Sequence, residues 1–72
     1  MAEREIVSLV WHRRNLKIEM RYGDGDPDHW IGSDVVAAVL ASDAGLRRMP
    51  GSEDALRWAK APGVPLFAAS AS

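Results

Sequence analysis

Residues 16–22 read "LKIEMRY", and apolar and charged side chains alternate along them without a break. The apolar positions are Leu16, Ile18, Met20 and Tyr22, while the charged ones are Lys17, Glu19 and Arg21. Successive side chains of a β-strand point to opposite faces, so strict alternation indicates a strand with one buried face. The stretch therefore predicts a strand over about 16–22.

The segment before it, about 5–11, predicts the partner strand of a β-hairpin. Its β-branched and aromatic residues suit a strand. Because it carries apolar side chains on both faces, we expect other parts of the protein to pack against both faces. The connection is "HRRN", in which Asn15 tolerates the left-handed backbone conformation that short hairpin loops often need. The connection therefore suits a short hairpin loop.

The stretch "YGDGDPDHWIG" over 22–32 raises the question of a metal site. Its aspartates match the first three ligand positions of an EF-hand calcium loop: Asp24, Asp26 and Asp28. His29 stands where that loop needs Gly, and Val35 stands where it needs Glu. Glycine and proline are also typical of turns. The stretch therefore predicts a solvated acidic loop and no calcium site. Nothing in the spacing of His12 and His29 brings them together, so no metal is predicted there either.

Two helices are predicted after this loop. The first spans about 34–44, with Ser33 as its N-cap and Gly45 at its end. Its apolar run over 35–41 predicts burial on nearly all sides. The second spans about 53–60, with Ser52 as its N-cap, and the proline that follows ends it. Residues 64–68 leave room for a short last strand, and residues 69–72 are expected to form a loose tail.

These elements give an α+β fold of order ββαα(β) in one small domain, 1–72. The chain has 72 residues and no cysteine, so a modest core without disulfides is expected, and small cores often need oligomerisation. A lone hairpin is only marginally stable. The third strand could come from residues 64–68 or from another subunit, and the sequence leaves both open.

Composition and the N-terminal residues suggest a cytoplasmic protein. The start "MAEREIV" turns polar at once, and no apolar run approaches the roughly 18 residues of a membrane span. The abundance of Ala, Arg, Gly and Asp suits a GC-rich bacterial or phage genome.

The motifs predict a protein that is not an enzyme and holds no cofactor. No nucleophile lies in a recognisable turn, phosphate-binding glycine patterns are absent, and the chain is too small to enclose a substrate pocket easily. The main hypothesis is a non-catalytic protein-interaction module of accessory, inhibitor or adaptor type, with self-association through the apolar helix as one version. The predicted partner-binding residues are Arg13, Arg14, Trp30, Asp24, Asp26 and Asp28.

The alternative hypothesis is a DNA-binding or transcription-regulating protein. It would use the basic hairpin tip over 12–17, which contains Arg13, Arg14 and Lys17, or the pair of predicted helices. The net charge of −1 gives the whole molecule no general attraction for nucleic acid. In addition, Pro50-Gly51 interrupts the place where a helix-turn-helix would continue into its recognition helix.

Overall fold

The computed structural model describes residues 4–67, which form a five-stranded antiparallel sheet with one helix against one face. The strand order across the sheet is β3-β2-β1-β5-β4, so the first strand is central. The elements in chain order are β1 (Ile6–His12), β2 (Lys17–Tyr22), β3 (Asp28–Ile31), α1 (Asp34–Asp43), β4 (Arg47–Ser52) and β5 (Ala55–Ala59).

The hairpin formed by β1 and β2 follows the alternation of apolar residues. Leu9 lies opposite Met20 and Trp11 lies opposite Ile18, and all four side chains are buried. The left-handed residue at this hairpin loop is Leu16, with φ of 51°, and not Asn15. The Leu16 carbonyl accepts a hydrogen bond from the Gly32 amide at 3.0 Å, so a contact distant in sequence helps to hold this residue.

The predicted second helix over 53–60 is wrong, and so is the ββαα order. Residues 47–59 form a second hairpin, β4–β5, whose turn is Glu53-Asp54. Leu56 and Trp58 lie opposite Trp11 and Leu9 of β1, while Arg57 points to the other face. The same residues fit a strand and a short helix, and pairing with the apolar central strand favours the strand.

β4 lies at one edge of the sheet and contains Pro50. Proline lacks an N–H group to donate to a neighbouring strand, so in sheets it occurs at edges and irregularities. The register of β4 against β5 shifts between Met49 and Ser52, around this proline. The stretch "MPGS" therefore lies in an edge strand.

The sheet is completed within the chain, by β3 on one side and by β4 and β5 on the other. The predicted last strand over 64–68 does not form among the described residues. Phe67 makes an isolated bridge with Glu5, and the Leu66 carbonyl accepts from the Ile6 amide at 2.7 Å. Residue 68 and the expected tail over 69–72 lie outside the described residues.

Helix α1 begins at its predicted N-cap, where the Ser33 hydroxyl accepts from the Val36 amide at 3.2 Å. It packs on the sheet through Ala37 and Ala41, both fully buried. The expectation of burial on nearly all sides is wrong, because no second helix within residues 4–67 covers its outer face, where Val35 and Val39 are exposed. The core cluster consists of Ile6, Leu9, Trp11, Ile18, Met20, Ala37, Ala41, Leu46 and Trp58. Within residues 4–67, no helix has the length and apolarity to cross a membrane.

Candidate functional site

Large apolar side chains are exposed on the edge strand β3 and on the outer face of α1. Ile31 is 89% exposed and Val35 is 68% exposed, whereas a folded chain buries such side chains where it can. Three more lie in the same ten residues of sequence, with exposures of 43%, 46% and 54%. Ile31 lies opposite Lys17, on the sheet face away from α1, whereas Trp30 lies opposite Ile18. We name the remaining set the β3–α1 surface, and it consists of Trp30, Val35, Val36 and Val39.

The contacts around Gly32 connect the strand part of this surface with the helix part. Trp30 lies opposite Ile18, on the sheet face that carries α1. A Cβ atom at Gly32 would lie 2.6 Å from Ile18 Cδ1 and 3.7 Å from Val36 Cγ1. Val36 therefore approaches the sheet near the strand that carries Trp30. The close approach of the Ile18 side chain also explains why glycine suits position 32.

The two edges of the sheet differ in how well they are protected against pairing with another strand. β4 carries Pro50, two arginines and an irregular register, which are devices that discourage edge pairing. β3 is the other outermost strand, and its four residues, Asp28–Ile31, include neither proline nor lysine. The edge beside the β3–α1 surface is short, but it lacks proline, lysine and an irregular register.

The sheet face opposite α1 has a different character. No helix or strand among residues 4–67 packs on it, and cross-strand pairing places basic side chains along it. One row across the sheet is His29, Glu19, Val10 and Arg57, and it is flanked by Lys17 and Arg21 on β2. We name this the uncovered face, and its charged residues are Lys17, Glu19, Arg21, Arg47 and Arg57, with His12 and His29.

Glu19 is the only carboxylate on the uncovered face among the described residues. Its Oε1 lies 2.9 Å from His12 Nε2 and accepts from an Arg21 Nη at 3.3 Å, while its Oε2 lies 3.9 Å from His29 Nε2. Burial raises the pKa of Glu19, but hydrogen bonds from His12 and Arg21 outweigh it and hold the pKa below its ordinary value. The carboxylate is therefore ionised and engaged at neutral pH.

Sequence reasoning missed this cluster, which brings both histidines to one carboxylate. The strict alternation of β2 places Glu19 on the face opposite the core, but it cannot show which strands lie beside β2. His12 is seven residues away and His29 reaches Glu19 from a third strand. Among residues 4–67, no group of three or more histidine, aspartate or glutamate side chains has the arrangement to hold a metal ion.

A cleft of about 370 Å³ lies where β2 meets the acidic loop. Its charged groups are Glu19 and Arg21, which pair with each other, and its lining residues are Val7, Glu19, Arg21, Tyr22, Gly25 and Pro27. The carboxylate and the phenol in this lining, Glu19 and Tyr22, are both engaged within the chain, with Arg21 and Asp28.

Arg4 binds the acidic loop, residues 23–28, from within the chain. Its guanidinium donates to both carboxylate oxygens of Asp24, at 2.8 and 3.1 Å, and lies 3.5 Å from Asp28. It also donates to the Asp26 carbonyl and lies 3.8 Å from the centre of the Tyr22 ring. The hydrogen bonds from Arg4 hold the pKa of Asp24 below its usual range. Two of the three predicted acidic contacts are thus engaged internally.

Asp28 also shapes the surroundings of Tyr22. The Tyr22 hydroxyl donates to Asp28 Oδ2 at 2.9 Å. Burial and this hydrogen bond to a carboxylate raise the pKa of Tyr22 above its ordinary value. The phenol therefore remains protonated and continues to donate over the physiological pH range.

In the fold, acidic residues of a neighbouring turn lie beside the hairpin tip and reduce the net positive charge that its own residues give it. Arg13 and Arg14 are both exposed, but the tip of β1–β2 lies beside the turn of β4–β5. The Arg13 amide donates to the Asp54 carbonyl at 2.9 Å, and Arg14 Nε lies 3.5 Å from Asp54 Oδ1. The two acidic residues of that turn, Glu53 and Asp54, offset the charge of the tip.

The predicted partner-binding residues thus occupy three separate places. Arg13 and Arg14 lie at the hairpin tip, the aspartates lie in and beside the acidic loop, and Trp30 belongs to the β3–α1 surface. Their role as partner contacts stays a prediction. Comparison of the chain with protein-family models, with curated proteins and with solved structures gave no match.

Proposed function

We propose that the chain is a small, non-catalytic protein-interaction module and that it binds a second copy of itself through the β3–α1 surface. The observation that supports this most directly is the exposure of the four large apolar side chains of the β3–α1 surface within residues 30–39. Contiguous apolar patches on a small protein mark interaction sites more often than scattered exposed residues do.

Burial supplies the driving force for such an interaction. Transfer of a valine or isoleucine side chain from water to an apolar contact contributes about 1.5–3 kcal/mol when burial is complete. Trp30 adds the kind of large aromatic group that dominates interface energetics. Ala38, exposed on the same helix, is small enough to allow close approach of a second backbone.

The difference between the two sheet edges favours a second copy as the partner. Antiparallel pairing of β3 with β3 of another chain satisfies the free backbone groups of both edges and extends the sheet. A two-fold axis perpendicular to the sheet then places both copies of α1 on the same side. The exposed valines of each helix face the other copy, so the interface is self-complementary.

Sedimentation equilibrium tests the proposal. The wild-type chain is expected to show a mass that rises toward that of a dimer with concentration. The double variant Val35→Ser/Val39→Ser is expected to remain monomeric at the same concentrations, because two exposed apolar groups of the interface become polar. Val64→Ser is the matched control, since Val64 is 49% exposed and lies outside the β3–α1 surface.

Backbone hydrogen exchange separates strand pairing from side-chain contact, because burial of side chains alone would not protect the outward-facing amides of β3. If β3 pairs with β3, exchange at the β3 amides that face outward slows as the protein concentration rises. A wild-type chain that stays monomeric at high micromolar concentration would overturn the proposal. Equal loss of association in Val64→Ser would show that the surface has been assigned to the wrong place.

A further inference from the structure

We infer that the uncovered face binds single-stranded nucleic acid through its phosphate groups, independently of the β3–α1 surface. The observation behind this is the separation of charge in the fold. The whole chain has a net charge of −1, yet the uncovered face carries four cations and one carboxylate. The four cations are Lys17, Arg21, Arg47 and Arg57.

Three of these cations are available to an external anion. Arg21 pairs with Glu19, but Lys17, Arg47 and Arg57 have no carboxylate within 4.0 Å among residues 4–67. Arg47 and Arg57 are also exposed. A guanidinium can donate two parallel hydrogen bonds to one phosphate, which makes arginine the residue of choice for such contacts.

The spacing of the cations fits a chain of phosphates better than one small anion. They lie on β2, β5 and β4, so they extend across three strand intervals, or roughly 14 Å. A free phosphate could contact only one or two of them. The charge complementarity of the uncovered face therefore points to a polyanion with successive phosphates.

The shape of the uncovered face favours a single strand over a duplex. Reading a duplex groove requires a helix or a two-stranded ribbon that projects from the protein, and α1 lies on the other side of the sheet. Single strands instead lie on open sheet surfaces, where planar side chains stack on unpaired bases. His29, with 44% of its side chain exposed, and the guanidinium groups supply such planes.

Fluorescence anisotropy with a labelled oligo(dT) of about 12 nucleotides, within the range of known single-strand sites, tests the inference. The wild-type chain is expected to bind at low salt, with affinity that falls linearly with salt on logarithmic axes. The double variant Arg47→Gln/Arg57→Gln is expected to bind about tenfold more weakly, and the loss of two phosphate contacts should reduce the salt slope by about 1.4.

The matched control removes the same charge elsewhere. Arg13→Gln/Arg14→Gln changes two exposed arginines at the hairpin tip and should leave the affinity within about twofold of wild type, since the tip lies off the uncovered face. Circular dichroism confirms that each variant is folded. Val35→Ser/Val39→Ser should retain oligonucleotide binding, which keeps this inference separate from self-association.

Three outcomes would overturn the inference. One is the absence of binding by the wild-type chain at low salt. Another is equal weakening by the two arginine pairs, because net charge and not the uncovered face would then control affinity. The third is a duplex of the same length that binds at least as tightly as oligo(dT), because unpaired bases would then contribute nothing.

Discussion

Arg4 is the residue whose role depends most on the tertiary structure. In the sequence it is one charge in a mixed N-terminal segment, but in the fold it binds Asp24 and Asp28 and lies over the Tyr22 ring. It reaches these groups from twenty or more positions away. The acidic loop is therefore closed by a cation from outside the loop, which the loop's own composition does not reveal.

Removing this cation should change how Asp24 titrates. In Arg4→Gln, the pKa of Asp24 is expected to rise toward its ordinary value of 3.8, because the hydrogen bonds that stabilise the carboxylate are lost. A carboxyl whose folded pKa is depressed stabilises the fold above its unfolded pKa, and this contribution disappears as the pH falls through the folded pKa. The difference in melting temperature between wild type and variant should therefore shrink below about pH 3.8.

Carbon-13 NMR titration of the Asp24 carboxyl and melting curves over the same pH range check this prediction. Arg13→Gln serves as the control, since Arg13 makes no side-chain ion pair among residues 4–67 and should leave the Asp24 titration unchanged. An Asp24 pKa that is the same in Arg4→Gln and in wild type would contradict the assignment.

Among the helices and strands, the largest difference between the sequence-based prediction and the structure is found in residues 53–60. Local signals favour a helix there, because Ser52 resembles an N-cap and Glu53 and Asp54 suit a first helical turn. The same stretch also alternates, with Leu56 and Trp58 on one face and Arg57 on the other. The apolar side chains on β1 decide between the two, since β5 pairs with that strand over five residues. A central strand needs neighbours on both sides.

Substitution of Gly51 tests whether the second hairpin forms, because a helix over 53–60 would not require glycine at position 51. A Cβ atom at Gly51 would lie 2.6 Å from the backbone oxygen of Ala55, which cannot move without disturbing the β4–β5 turn. Gly51→Ala is therefore expected to reduce the free energy of unfolding by about 1–3 kcal/mol. Urea denaturation of the wild-type chain and the variant measures this change in the free energy of unfolding.

Gly23→Ala is the matched control for this substitution. Its nearest contact would be an ordinary 3.5 Å to Glu5 Oε1, and Gly23 has no positive φ. The control should lie within about 0.5 kcal/mol of wild type or be slightly more stable, because alanine restricts the unfolded chain. If both substitutions cost the same, the close approach at Gly51 would not be the cause.

At the scale of the whole molecule, the sheet separates two surfaces of different chemistry. The core and α1 lie on one side, with the β3–α1 surface at the margin, and the basic uncovered face lies on the other. β1 is apolar toward both sides, because Leu9 and Trp11 face the helix while Val10 lies between Glu19 and Arg57. A small chain thus presents both an apolar surface and a basic one.

Far-UV circular dichroism checks the architecture as a whole. Of the described residues 4–67, about 16% are helical and 47% are in strand conformation, so strand signal should exceed helix signal in the spectrum. The Gly51→Ala variant, if folded, should give the same spectrum and serves as an internal reference. A helix content above the strand content would contradict the five-stranded sheet and would support the predicted arrangement with helices over 34–44 and 53–60.

Features set by neighbouring residues could be predicted from the sequence. The alternation of "LKIEMRY" gave β2 and its hairpin with β1, and Ser33 with Gly45 bounded α1, because a face or a cap depends on residues a few positions apart. Trp30 was also named from the sequence as a partner-binding candidate, and it is 43% exposed. Its function as a contact stays a prediction.

The tertiary structure alone decided which strands are neighbours. It turned most of residues 53–60 into β5, left one side of α1 uncovered and collected His12 and His29 around Glu19. It also gathered Lys17, Arg21, Arg47 and Arg57 on one face. Strand pairing and burial depend on segments that are distant in the chain, so no local pattern contains them. The sequence by itself determined the first hairpin and α1, whereas packing determined the other strands, their partners and both candidate surfaces.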